Sequence, residues 1–207
     1  MMGEAWQVIR AAWRQTGADI FTTLVVNLLW LVLCAFVITA PAATVALFYV
    51  TNRLAHEEPT DVGDFFLALR RYFGVGGRWG LVNLLVLFFL GGDLFLTGRL
   101  VQEDWRPWVQ GFYAAALLAW LIVQFYALPF LFEQEHPSVR LALRNGAVML
   151  GRNIGFTLAL MLLLGIVLVV TTLFFLVIAA AGGIIIALIA NHAVLNRLAA
   201  AKIPHTA

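Results

Sequence analysis

The chain has 207 residues, of which 63% are hydrophobic and 12% are charged, and its mean hydropathy is +0.94. Soluble domains are about half apolar and about a quarter charged, so the composition excludes an ordinary soluble domain. The net charge of +2 is spread over several short segments and is not a nucleic-acid-binding signature. The single cysteine, Cys34, excludes an intrachain disulfide and a cysteine cluster for metal.

Long uncharged apolar runs predict an all-α, polytopic helical membrane protein that forms a single membrane domain. These runs are too long for the alternating strands of a membrane barrel. Residues 154–191 contain no charged residue, and one helix over this run would be about 57 Å long. Because a bilayer core is about 30 Å thick, the run predicts two spans. Their turn is expected at Thr171-Thr172, with 179–183 as the alternative.

We predict five transmembrane helices together with amphipathic helices at the membrane surface. The spans are expected at about 20–40, 80–98, 108–129, 154–172 and 175–196.

Residues 1–19 are predicted to form an amphipathic helix that lies in the membrane interface. Trp6, Ile9 and Trp13 recur at helical spacing, opposite arginines and glutamines. A signal peptide is the alternative interpretation, but the apolar run 20–40 exceeds the usual core of about 7–15 residues. We therefore expect an uncleaved first span.

Pro41 is expected to end or kink the first span. The apolar stretch after it is too short to cross a bilayer before it turns polar at Arg53. We expect a bent continuation of the first helix. Packing against other spans and a re-entrant arm remain the alternatives.

We predict that two arginine-containing segments between spans lie on the inner face of the membrane. They are residues 41–79 and 130–153, and we call them the first and second belt. In the first, Thr60 or Asp61 can cap a helix that carries an apolar stripe. The stripe residues are Val62, Phe65, Phe66, Leu69 and Phe73. The second belt has an apolar face of Val139, Leu143, Gly146 and Leu150.

The arginines of these belts are candidate contacts for a protein partner or for anionic lipid. These residues are Arg70, Arg71, Arg78, Arg144 and Arg152. With five spans, the segments on the belt side hold nine Lys and Arg residues and the opposite side holds four. The positive-inside rule then places the N-terminus outside and the C-terminus in the cytoplasm. If the stretch after Pro41 were a true span, this orientation would be overturned.

An internal echo suggests a parallel repeat of spans one and two in spans three and four. The tetrapeptide Leu-Ala-Leu-Arg occurs at 67–70 and again at 141–144, and both copies precede a long apolar run.

Several short motifs stand out: NLLWL at 27–31, PAATVALFYV at 41–50, Phe65-Phe66, RRYF at 70–73 and, more loosely, ALRN at 142–145. In these motifs the chain resembles the YesL family of small bacterial membrane proteins. The resemblance implies a multi-pass protein of the bacterial cell membrane with no established activity or functional residues. It also implies a link to carbohydrate uptake, because members are often encoded beside ABC-type uptake systems.

Polar residues inside predicted spans are candidate functional residues, because they cost free energy in lipid. They are Asn27, Asn83, Asp93, Gln124, Asn191 and His192. Asp93 is the acid that lies well inside an apolar run, and Arg99 or Arg106 is expected to reach it. We expect the amides and the histidine to form hydrogen bonds between helices. For Asp93 we expect structural pairing or a location near the interface, and a proton or ligand site is the alternative.

No nucleophile–base pair, zinc-protease motif or phosphate-binding loop occurs in the chain, so we expect no enzyme activity and no cofactor. Glutamate and histidine cluster at 56–59 and 133–137, and a divalent metal could bind there if the two loops met. We expect solvated helix ends instead.

Three functional hypotheses remain. We favour a non-catalytic accessory or scaffold protein whose partners are the lipid bilayer and an ABC-type permease subunit or anionic lipid. A small transporter or channel that uses intramembrane polar residues is the alternative. A membrane-embedded metal enzyme is the third hypothesis.

Overall fold

The computed structural model describes residues 2–18, 20–172 and 175–202, and it describes their side chains except at 17–18, 171–182 and 201–202. These residues form nine α-helices and no strand, which confirms the all-α prediction. The helices are α1 (Met2–Ala18), α2 (Ile20–Cys34), α3 (Ala40–Ala55), α4 (Val62–Arg71), α5 (Phe73–Leu100), α6 (Arg106–Phe130), α7 (Val139–Arg152), α8 (Ile154–Thr172) and α9 (Phe175–Lys202).

Three helical segments of the described chain are long and apolar enough to cross a membrane: α5, α6 and residues Gly183–Ala200 of α9. Two further candidates appear if each of two bent helix pairs is counted as one span. α1 and α2 meet at 98°, and α7 and α8 meet at 97°. The expected turn at Thr171-Thr172 falls where α8 ends, but the following residues 173–174 lie outside the described residues.

The chain turns back after α2 instead of continuing beyond Pro41. α2 ends at Cys34, residues 35–39 form a turn, and α3 starts at Ala40. Trp30 Nε1 donates to Thr44 Oγ1 at 3.2 Å, although 14 residues of continuous helix would separate them by about 21 Å. The expected first span over 20–40 and its bent continuation are therefore wrong, because α2 and α3 lie side by side.

α3 lies at the centre of the molecule. Ten of its residues, from Ala42 to Ala55, are buried, as expected for a helix that is apolar on all sides. A Cβ atom on Gly76 of α5 would lie 2.6 Å from the Ala42 Cα atom, so the two backbones touch. Residues 41–55 are thus core, and their assignment to a surface belt is corrected.

The two belt helices that remain are amphipathic, as predicted. Asp61 caps α4: its Oδ1 atom accepts from Asp64 N at 3.0 Å, and Asp64 Oδ2 accepts from Asp61 N at 3.0 Å. Phe65 of α4 is fully buried, whereas Phe66 is 49% exposed, so the buried stripe is narrower than expected. In α7, Gly146 packs against the backbone of α6.

The first helix contacts the C-terminal part of α9. Glu4 Oε1 lies 3.1 Å from Arg197 Nη2, and His192 Nε2 lies 2.6 Å from Gln15 Oε1. A bilayer core about 30 Å thick cannot separate groups in contact. Glu4 and Arg197 therefore lie on one side of any bilayer, which disagrees with the predicted placement of an outside N-terminus and a cytoplasmic C-terminus.

The expected repeat has a limited counterpart in the structure. α4 and α7 are both short amphipathic helices that precede a long apolar helix, α5 and α8. The helices before them differ, because α3 is largely buried whereas the buried residues of α6 lie near its C-terminal end.

Candidate functional site

One end of the molecule carries most of the positive charge. We call it the cationic face and define it by α1, α4, α7, the start of α5 and the C-terminal ends of α3, α6 and α9. Side-chain bonds tie these segments together, including Glu4 to Arg197 and Asn52 to Glu133. Of the 13 Lys and Arg residues, all except Arg99 and Arg106 belong to these segments.

The predicted belt arginines all lie on the cationic face with their side chains exposed. These residues are Arg70, Arg71, Arg78, Arg144 and Arg152. Within the described part of the chain, none of them forms an ion pair, although Arg71 stacks on the ring of Tyr72 at 5.5 Å. Their charges are therefore available to an outside group.

Arg53 and Arg197 have a different, internal role. Arg53 bonds Asp64 at 2.6 Å and Glu58 at 2.9 Å, which ties the end of α3 to α4, and the Glu58 carboxylate raises the pKa of Arg53. The Arg197 guanidinium holds the pKa of Glu4 below its usual range through their hydrogen bond. Both arginines thus fix the segments that form the cationic face.

A buried polar cluster joins three helices beneath this face. Asn52 Nδ2 donates to Glu133 Oε1 at 2.7 Å and to Asn191 Oδ1 at 3.1 Å. Asn191 Nδ2 donates to Thr51 Oγ1 at 3.0 Å. His56 Nε2 lies 3.6 Å from Glu133 Oε1. The predicted site residue Asn191 is therefore a packing residue, and sequence analysis missed Thr51 and Asn52 beside it.

Asn27 fills a similar role between α2 and α9. Its side chain is fully buried, and its Oδ1 atom accepts from Gly183 N at 3.0 Å and from Ile184 N at 3.3 Å. The ring of Trp30 packs at the same place, where a Cβ atom on Gly183 would lie 2.5 Å from it. Asn27 thus lies in a packed interface.

Asn83 and Gln124 meet between α5 and α6. Gln124 Oε1 accepts from Trp79 Nε1 at 2.9 Å and from Asn83 Nδ2 at 3.3 Å, and Asn83 Oδ1 accepts from Trp120 Nε1 at 3.0 Å. Sequence analysis missed both tryptophans. The sequence spacing between each tryptophan and an amide could have indicated these contacts. Trp79 precedes Asn83 by one helical turn, and Trp120 precedes Gln124 by one helical turn.

Asp93 lies on α5 away from these clusters. It is half-buried, and its backbone oxygen accepts from Thr97 Oγ1 at 2.6 Å. No ion pair between Asp93 and Arg99 or Arg106 occurs among the described residues. The expectation that Arg99 or Arg106 contacts Asp93 is therefore wrong. Arg99 stacks on Phe95 at 4.7 Å, and Arg106 Nη2 donates to Val101 O at 3.4 Å.

The two glutamate- and histidine-containing loops do meet, at His56 and Glu133. Nevertheless, the described residues contain no group of three or more His, Cys, Asp or Glu side chains that could hold a metal ion. In the described part of the chain, the two loops thus share one contact, but they do not form a set of metal ligands.

The chain is similar to a family described as a protein of unknown function, DUF624, whose model matches residues 23–94. That family includes YesL-like proteins. No curated protein and no solved structure matches the chain. The matched stretch runs from α2 to most of α5 and includes Asn27, Trp30 and the core helix α3. Together with the long apolar helices, the match indicates a membrane protein of unknown function.

Proposed function

We propose that this chain is a non-catalytic accessory or scaffold protein of a bacterial cell membrane. The observation that carries the proposal is the contrast between its two sets of polar groups. The buried side chains of Asn27, Asn52 and Asn191 bond one another or a helix backbone, whereas the arginines of α4 and α7 are exposed without carboxylate partners in the described structure. Bonded interior groups support packing, and unpaired surface charges support docking.

The cationic face is cytoplasmic in this proposal. With both chain ends on one face, Arg10 and Arg14 of α1 join the belt arginines, and only Arg99 and Arg106 lie at the other end. This asymmetry is stronger than the one expected from five crossing spans, and the positive-inside rule assigns the richer side to the cytoplasm.

Four helices cross the bilayer in the proposed arrangement: α5, α6, α8 and α9. α2 and α3 enter and leave on the cytoplasmic side, and their connecting turn carries the exposed apolar residues Phe36, Val37 and Ile38. An even number of crossings agrees with the contact between Glu4 and Arg197.

The proposed partner is a permease subunit of a carbohydrate uptake system of the ABC type. The choice rests on the YesL-like resemblance of residues 23–94, and the docking surface is the exposed side of α4. There Arg70 and Arg71 stand beside the exposed apolar residues Phe66 and Leu67. Basic side chains rimming an apolar patch suit a partner with an acidic cytoplasmic loop.

The test is quantitative co-purification of the tagged chain with that permease in mild detergent. Arg71→Gln removes a docking charge, and Arg99→Gln is the matched control, since both arginines stack on a ring of their own helix region. A surface charge is worth about 1 kcal/mol, so we expect about fivefold less permease with Arg71→Gln and no loss with Arg99→Gln. Equal recovery with both variants, or no permease with the unaltered chain, would refute the proposal.

A further inference from the structure

A cavity of about 490 Å³ opens on the cationic face between α7 and α9, outside the clusters described above. Its size falls within the range of small-molecule sites, about 300–1,000 Å³. Its lining includes Arg152 and Arg197, the amides Asn145 and Asn153, and the apolar side chains of Val148 and Leu198. Two guanidinium groups and two amides thus share one cavity with several apolar side chains.

We propose that this cavity binds the phosphate headgroup of an anionic phospholipid. The two arginines differ in a way that suits such a ligand. Arg197 is held in place, because it bonds Glu4 and Asn196 and its guanidinium carbon lies 4.1 Å from the ring centre of Phe156. Arg152 is exposed and has no ion pair in the described part of the chain. Arg152 therefore supplies the free positive charge for a phosphate diester, and Arg197, which is paired with Glu4, fixes the wall of the cavity beside it.

The position of the cavity also fits a lipid headgroup. α7 and the apolar helix α8 meet at 97° across Asn153, so their axes are nearly perpendicular. The bend places the cavity where the cationic surface meets the membrane-embedded part of the chain. The first turn of α8 begins at this bend, and a helix N-terminus favours a negative charge.

The apolar lining distinguishes a lipid from a free phosphate ion. Val148 is 49% exposed, and it lines the cavity together with Met149 and Leu198. A free ion would gain nothing from these side chains, whereas the glycerol and the first methylenes of a phospholipid would be covered by them. The site is separate from the partner surface on α4, so either proposal can fail without the other.

The experiment titrates delipidated, detergent-purified protein with phosphatidylglycerol and, separately, with phosphatidylcholine, and counts bound lipid by native mass spectrometry. We expect phosphatidylglycerol to bind at least fivefold more tightly. Arg152→Gln should abolish this preference, and Arg144→Gln, also an exposed arginine of α7, should leave it intact. Equal binding of both lipids, or equal effects of both variants, would overturn the proposal.

A second variant and a competition experiment distinguish binding of a whole phospholipid from binding of a free phosphate ion. Val148→Gln keeps the charges and should weaken phosphatidylglycerol binding severalfold, because it removes an apolar contact at an exposed position that can change without unfolding. Inorganic phosphate at millimolar concentration should not displace the lipid. Complete displacement by phosphate, with Val148→Gln without effect, would assign the cavity to a free anion and reject the lipid.

Discussion

Buried amide side chains link helices that are far apart in the chain. Asn191 is 1% exposed and bonds both Asn52 and Thr51, which are about 140 residues earlier. Such bonds matter in a membrane because lipid offers neither a competing hydrogen bond nor a strong hydrophobic force between helices. At the scale of single residues, the polar candidates therefore act mainly in assembly.

Asn191→Ala should destabilise the protein by about 1–2 kcal/mol, because Thr51 and Asn52 each lose a buried partner. Thermal unfolding of the detergent-solubilised protein measures the change. Gln102→Ala is the control, since Gln102 is exposed in the loop before α6. If the two variants unfold at the same temperature, the cluster does not stabilise the fold.

At the scale of elements, close backbone contact sets how the helices pack. Gly76 and Gly80 of α5 face the first turn of α3, where a Cβ atom would meet Ala42 at 2.6 Å or the Pro41 ring at 2.5 Å. Small residues one turn apart let two helix backbones touch, which gains van der Waals contact where lipid gives no other driving force. Gly77, one position along, faces open space.

This difference predicts opposite outcomes for neighbouring glycines. Gly76→Ala should cost about 1–3 kcal/mol of unfolding free energy, because α3 and α5 must move apart. Gly77→Ala should be neutral or stabilise by up to about 1 kcal/mol, because alanine is the better helix former. Urea or thermal unfolding in the same detergent compares them. A loss for Gly77→Ala equal to that for Gly76→Ala would contradict the packing.

At the scale of the whole molecule, the fold gathers α1, the C-terminal part of α9 and both amphipathic connecting helices on one face. Glu4 reaches Arg197, and Glu133 at the end of α6 reaches Asn52 at the end of α3. The connection between α5 and α6 lies at the other end, about 24 Å from Asn83 by the rise from Asn83 to Arg99. The molecule thus has one cationic face and an opposite end where Arg99 and Arg106 are balanced by Glu103 and Asp104.

Single cysteines test this arrangement in a Cys34→Ser background. One cysteine at a time replaces Arg10, Arg144 or Arg99, because all three arginines are exposed. We expect a membrane-impermeant maleimide to label positions 10 and 144 from the cytoplasmic side and position 99 from the outside. Labelling of position 10 from the same side as position 99 would place α1 at the end of the molecule opposite α7 and refute the shared face.

The amino-acid sequence alone determined the class of protein and its local structure. Its apolar runs require helices, because a backbone in lipid must bond within its own segment. The Asp61 cap and the amphipathic helices α4 and α7 could also be predicted, since their signals lie within a few residues of one another.

Only the tertiary structure decided how these helices are arranged. An apolar run looks the same whether it crosses the bilayer or turns back, so the turn at residues 35–39 left no clear signal, and the contact between Glu4 and Arg197 was not predicted. The partners of Asn52 are 81 and 139 residues away, and no local pattern relates such positions. Polar side chains meet where two helix backbones approach closely. These close approaches depend on how all nine described helices pack at once.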